Sequence, residues 1–168
     1  MPRQGPTNTH HGHRRATGCP QHGHGTEFDY NTLDLYVQIC YPEHGAVHWL
    51  IYMGCPGADR GTRFHSTGCY GQRKFSVEHN MRFESRSVEQ THYLGRIHES
   101  EGRIVSSEAA KIPLQSCQTW ACYLILRLER KGLLEAGTYN HYMHCYPHRR
   151  EEDFGPGRDI ECPTHHRH

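Results

Sequence analysis

The chain has 168 residues, 35% of them apolar, and a mean hydropathy of −0.86. That length suits one domain with a usable core, and the low hydropathy leaves part of the chain outside it. Lys and Arg number 19 against 18 Asp and Glu, a balance that lacks the electrostatic footprint of a DNA-, RNA- or anionic-membrane-binding protein.

Residues 1–31 are polar, rich in Gly, Pro and His, and without an apolar period, which predicts a disordered tail. The core is expected over 32–137. In "LDLYVQIC" the residues Leu33, Leu35, Val37 and Ile39 alternate onto one face of a half-buried strand. "YPEHGA" is a turn, punctuated by Pro42 and Gly45. "VHWLIYM" is apolar on both faces and so reads as a central strand. "GCPGADRG" is a loop, "TRFHS" a third strand, and "KFSVEH" and "THYLGRI" two more. The connections are too short for crossover helices, so the sheet is expected to be mostly antiparallel.

The period then changes. A short helix fits "VSSEAAK", stopped by Pro113, and "SCQTWACYLILRLERKGLL" is the strongest helix in the chain. Cys117, Ala121, Leu124 and Leu128 form its apolar stripe, flanked by Trp120 and Ile125. Ser116 suits the N-cap, Arg127, Arg130 and Lys131 suit the negative end of the dipole, and Gly132 suits the C′ position. Strands followed by one major helix predict an α+β fold. Residues 138–168 return to a His-rich, largely irregular composition. No window approaches the roughly 18 apolar residues of a membrane span.

Seventeen histidines and eight cysteines carry most of the chemistry in the chain. The N-terminal "MPRQGPTNTHHGHRRATG" has no apolar core for a secretion signal, so a cytoplasmic setting with mostly free thiols is expected. No C-x-x-C pair occurs, which argues against a zinc finger or a thioredoxin-like site. Cys117 opens the long helix, where first-turn amides and the dipole are expected to lower a thiol's pKa. His48 lies on the central strand, on the face opposite Val47, Trp49 and Ile51; a helix packed across that face brings Cys117 to its imidazole. His65, on the next strand, suits the third role of a triad. His44 is an alternative base, whereas His79, His92 and His98 are scattered and expected at the surface. Trp49 and Trp120 read as core aromatics, and Cys122 as an unreactive thiol.

In this order the motifs resemble the circularly permuted papain-like group, which includes lecithin:retinol acyltransferase-like and NlpC/P60-related proteins. They are also similar to a fungal family of unknown function with an "HW" strand, "H-[AS]-[ST]-G" (here "FHSTG"), "LG-x-I" (here "LGRI") and "CQTW" opening a helix that ends in "RL…GLL". The matches run from about Leu33 to Leu134 and leave both tails uncovered. The resemblance implies a small α+β fold, with Cys117 as nucleophile, His48 as base and His65 as the residue that orients it. The helix start departs from the acyltransferases' Asn-Cys-Glu-His, reading Ser116-Cys117-Gln118-Thr119.

The expected function is thiol-dependent hydrolysis or acyl transfer on an ester or amide, with a small-molecule, lipid or peptide acyl substrate and no cofactor. Gln115 and Gln118 are candidate oxyanion donors beside the helix-start amides. One alternative is a non-catalytic binding domain of the same fold. Another is metal binding through the tails, for which His141, His144, Cys145 and His148 in "HYMHCYPH" are apt ligands, although Pro147 interrupts a continuous helix.

Overall fold

The computed structural model describes residues 31–42, 47–68 and 71–145, the side chain of Cys145 excepted. The expectations for the N-terminal tail, for His44, and for the chain beyond 145, His148 included, lie outside the described residues.

The five expected strands form one antiparallel sheet. They are β1 (Thr32–Cys40), β2 (Trp49–Gly54), β3 (Arg60–Thr67), β4 (Lys74–Arg82) and β5 (Val88–His98), in the order β4-β3-β2-β1-β5. The strand with apolar residues on both faces, β2, is the central one, as two-sided burial requires. Three helices follow in sequence: α1 (Gly102–Ala110), α2 (Cys117–Arg130) and α3 (Thr138–Cys145). The fold class is α+β. Among the described residues, no helix is long and apolar enough to cross a membrane.

One face of the sheet meets the helices. Leu35, Val37, Trp49, Ile51 and Phe64 join Val105, Trp120, Ala121, Leu124, Ile125 and Leu128 in one buried cluster. Burying each large apolar side chain contributes roughly 1.5–3 kcal/mol, so this cluster dominates the stability. The stripe read from the sequence is the packed face of α2, and Trp120 lies over Phe75 with ring centroids 5.6 Å apart. Ser116 caps α2 by accepting the Thr119 backbone N–H, and Gly132 follows its end at φ +73°.

The opposite face carries a smaller aromatic cluster. Leu50, Tyr52 and Cys40 are buried there against Tyr36, Phe83 and Val88. Gly61 and Gly54 make room for the Tyr52 ring: a Cβ on Gly61 would lie 2.6 Å from Tyr52 Oη and 2.4 Å from the Met53 carbonyl oxygen. Next to Gly61, the β3–β4 ladder changes register, and Asn80 takes a positive φ of 60° opposite it. The extra β4 residue is a bulge between Glu78 and Met81, beyond which the pairing resumes at Gly61–Met81 and Arg60–Arg82.

The core extends past the boundary expected at residue 137. Residues 138–145 form α3 rather than irregular chain, and Tyr142 packs edge-on to Trp49 at 6.3 Å. Glu129 Oε2 accepts the Tyr139 N–H at 2.9 Å, which holds the start of α3 against α2. The described part of α3 runs to Cys145, and Pro147, with the interruption read from it, lies outside the described residues.

Candidate functional site

The geometry of the site begins with a gap in the sheet. The recorded β2–β3 pairing covers Ile51–Phe64, Tyr52–Arg63 and Met53–Thr62. Towards the start of β2 the direct pairing gives way to side-chain contacts. Cys40 donates its N–H to His48 O at 2.9 Å, so the His48 carbonyl points to β1. Backbone direction alternates along a strand, and the Val47 carbonyl and Trp49 N–H therefore point to the β3 side. The start of α2 fills this opening. Gln118 Nε2 donates to Val47 O at 3.0 Å, and the Cys117 thiol lies 3.8 Å from the same oxygen. On the other bank, Ser66 Oγ donates to the Gln115 carbonyl at 2.8 Å.

Two imidazoles span the same gap. His48 Nε2 and His65 Nδ1 are 2.8 Å apart, with the rings edge-on at a centroid separation of 5.0 Å. Burial, then the neighbouring His65, pulls the His48 pKa down to about 4. Burial also lowers His65; Glu78 opposes that shift and Arg63 adds to it. Both rings are therefore neutral at pH 7, and one N–H is shared across the contact. The other edge of His65 faces a carboxylate, with Nε2 3.6 Å from Glu78 Oε2.

The structure places Cys117 at the first position of α2, as expected, but not with the expected ionisation. Burial raises its pKa. The Trp49 backbone N–H, the charge on Arg73 and the Gln118 and Cys117 amides favour the thiolate, and burial outweighs them. The helix also covers a different face from the one expected. It packs on the Trp49–Ile51–Phe64 side, and Cys117 reaches β2 through backbone groups on either side of His48. Among the described residues the thiol makes its hydrogen bond to Val47 O, and none to either imidazole. Cys117 thus rests as a protonated thiol and the two imidazoles as a neutral pair, with the sulfur meeting β2 through the backbone on either side of His48.

Of the two oxyanion candidates, Gln118 is buried and its side-chain nitrogen is engaged by Val47 O. Gln115 contributes its carbonyl to Ser66. The Cys117 and Gln118 amides face the sulfur. Cys122 is fully buried and burial pushes its thiol up to about 12, matching an inert core sulfur. Cys40, Cys117 and Cys122 are free, whereas Cys55 is disulfide-bonded, to none of these three. The expectation of free thiols therefore holds for only part of the set.

His79, His92 and His98 are exposed, and Trp49 and Trp120 are core residues, as read from the sequence. His141 and His144 lie exposed on α3, where His144 Nδ1 donates to the Asn140 carbonyl at 2.6 Å. Among the described residues, no group of three or more His, Cys, Asp or Glu side chains is arranged to hold a metal. A cavity of about 700 Å³ opens elsewhere, on the aromatic side, lined by Tyr36, Tyr52, Asp59, Arg82, Phe83 and Glu84 among others. Neither imidazole lines it.

Glu78 and Ser66 are the site residues that the sequence reading missed. The signal for Glu78 was the β3–β4 hairpin: pairing Thr67 with Lys74 sets His65 opposite Ser76, and puts Glu78 one diagonal step away on the same face. No family model matches the chain, and neither a curated protein nor a solved structure matches it.

Proposed function

We propose that the chain is a thiol-dependent hydrolase or acyltransferase of permuted papain-like architecture, acting on an ester or amide through Cys117 and His48. One observation carries this reading. The Cys117 sulfur contacts Val47 O and the Trp49 N–H, which bracket His48, and the His48 imidazole is held by a second histidine across the same gap. A nucleophile, a base and a residue that orients the base are the parts of a triad.

The raised thiol and lowered imidazole pKa favour a neutral resting pair over a preformed thiolate–imidazolium. In this reading His48 works as a general base. It takes the Cys117 proton as sulfur attacks the carbonyl carbon, and returns it to the departing alcohol or amine. The acyl group then passes from sulfur to water or to a second nucleophile. General-base assistance of this kind contributes typically about 10²–10⁴-fold. The helix-start amides would hold the tetrahedral oxyanion.

The test is acyl capture. Incubation with p-nitrophenyl acetate and a longer-chain p-nitrophenyl ester should add one acyl mass to the peptide containing Cys117. Cys117→Ala should abolish the adduct, and His48→Ala should slow it on the order of 10²-fold or more. An acyl adduct on other cysteines alone, or a rate indifferent to His48, sinks the reading. A non-catalytic binding domain is the second reading, favoured by the burial that keeps the thiol protonated. It predicts that neither ester acylates Cys117.

A further inference from the structure

The geometry points to Glu78 as a positioning residue that sets the tautomer of both imidazoles and so leaves the basic lone pair of His48 on Nδ1. This inference rests on the proposed role of His48 as the base for Cys117. It starts from proton counting. Each neutral imidazole carries one N–H, and the 2.8 Å contact between His48 Nε2 and His65 Nδ1 needs one donor and one acceptor. Two arrangements satisfy it.

In the first, His65 donates from Nδ1 to His48 Nε2. His65 Nε2 is then a bare lone pair, buried, and directed at the Glu78 carboxylate 3.6 Å away. Two electron-rich atoms face one another with no proton between them. In the second, His48 donates from Nε2 to His65 Nδ1, and His65 Nε2–H points towards Glu78 Oε2. The carboxylate then meets a proton, a charge-assisted contact that tightens with a small side-chain motion. The second arrangement is favoured on electrostatic grounds, and it fixes the third member of the chain. His48, with its proton on Nε2, has its lone pair on Nδ1, the nitrogen that the proposed base role would use.

No other described group competes for these positions. Arg63, the cross-strand partner of Glu78, donates Nη2 to the Arg82 carbonyl at 2.9 Å and makes no ion pair among the described residues. Its charge disfavours protonation of His65, which keeps that ring a neutral relay rather than a second cation. Arg73 acts on Cys117, where it favours the thiolate. When the Cys117 proton moves to His48 Nδ1, His48 becomes an imidazolium whose Nε2–H still points at a neutral His65. The charge of Glu78 then stabilises it through the His65 dipole. No proton has to leave His65, and the only bonds exchanged are S–H for N–H.

The decisive measurement is a long-range ¹H–¹⁵N correlation on the full chain with ¹⁵N-labelled histidine at pH 7. His48→Asn and His65→Asn assign the two signals. Both rings should be neutral with the proton on Nε2. Glu78→Ala should move His65 towards the Nδ1–H tautomer, and Glu78→Gln, whose amide oxygen still accepts, should restore the original pattern. Alkylation of Cys117 by iodoacetamide should slow on the order of tenfold in Glu78→Ala and recover in Glu78→Gln. A wild-type His65 with its proton on Nδ1 overturns the inference, and so does a tautomer unmoved by Glu78→Ala. The separate failure of the base assignment has its own signature: a Cys117 alkylation rate unchanged by His48→Ala while the tautomers still follow Glu78.

Discussion

His48 and His65 meet at 2.8 Å across a gap where the backbones of β2 and β3 are no longer paired, so two side chains take over the link between strands. Both rings are held neutral by burial, and that makes the contact pH-sensitive. His48 titrates near 4 in the folded chain against 6.5 when free. Between those values the unfolded chain binds a proton that the folded chain refuses, so folding stability rises with pH there. It is complete above about 6.5 and lost as pH falls towards 4. The loss is on the order of 2 kcal/mol, allowing for partial exposure. Urea unfolding at pH 7.5, 6, 5 and 4.5 reads it directly. His48→Gln, which has no titrating group, should flatten this part of the curve; an unchanged slope would remove His48 as its source.

The N-terminus of α2 is the element that carries Cys117, and Ser116 holds it. Its Oγ accepts the Thr119 N–H at 3.2 Å and donates to Thr119 Oγ1 at 2.7 Å. Ser116→Ala should cost about 1 kcal/mol of stability and loosen the first turn. Ser116→Asp keeps the cap acceptor and adds a charge that suits the helix dipole. It should recover most of that loss in denaturant midpoint. Equal stability of the Ala variant and the parent would mean that the cap contributes nothing here.

Much of this architecture was legible because it follows from period. Alternation gave the faces of β1, and the four-three-four spacing from Cys117 to Leu128 gave the packed stripe of α2. The relation between Cys117 and His48 was not legible: the sequence reading laid the helix over the His48 face, and α2 covers the other. Sequence order put both near one cleft, but which face a helix covers depends on how two sheet faces divide the apolar residues. Tyr36, Tyr52 and Phe83 claimed one face for an aromatic cluster and left the other to α2. The thiol's ionisation was misread for a related reason. Helix-start amides act in the sense expected, but burial at a packed strand end opposes them and is larger. Tyr142 and Trp49, 93 residues apart in the chain, show why the boundary at 137 was too early: a few long-range contacts, this aromatic one and the Glu129–Tyr139 hydrogen bond among them, anchor α3 within a polar sequence.

Gly61 is a position where the aromatic face tolerates no side chain. An added Cβ would press on the Met53 carbonyl oxygen at 2.4 Å and on Tyr52 Cζ at 2.6 Å. Backbone cannot yield as a flexible side-chain tip can. Gly61→Ala should therefore destabilise by about 1–3 kcal/mol, the usual cost of overpacking. Combining it with Tyr52→Leu relieves the ring but not the carbonyl, so rescue should be partial. Thermal unfolding of the single and double variants checks both statements. Full rescue would show that the ring, and not the strand backbone, sets the limit.

Glu108 ties α1 to α2 and supplies a second, lower pH window. Its carboxylate is buried, accepts Lys111 Nζ at 2.9 Å and Arg127 Nη1 at 2.8 Å, and has Lys131 Nζ at 3.7 Å. Hydrogen bonds from Lys111 and then Arg127 hold its pKa at about 2, below the ordinary 4.5, with burial opposing them. The folded state therefore keeps the charge at pH values where the unfolded chain has taken up a proton. This contribution is fully present above about 4.5 and is lost as pH falls towards 2. Glu108→Gln should lower stability at pH 7, because three cations then surround a neutral amide, and it should remove the slope below 4.5. The His48→Gln variant should keep that slope while losing the one between 4 and 6.5. The two variants thus separate acid sensitivity at the imidazole gap from acid sensitivity at the helix pair. Unfolding curves of both, collected from pH 3 to 7.5, decide it: a Glu108→Gln variant that still loses stability below 4.5 as the parent does would place the low-pH window elsewhere.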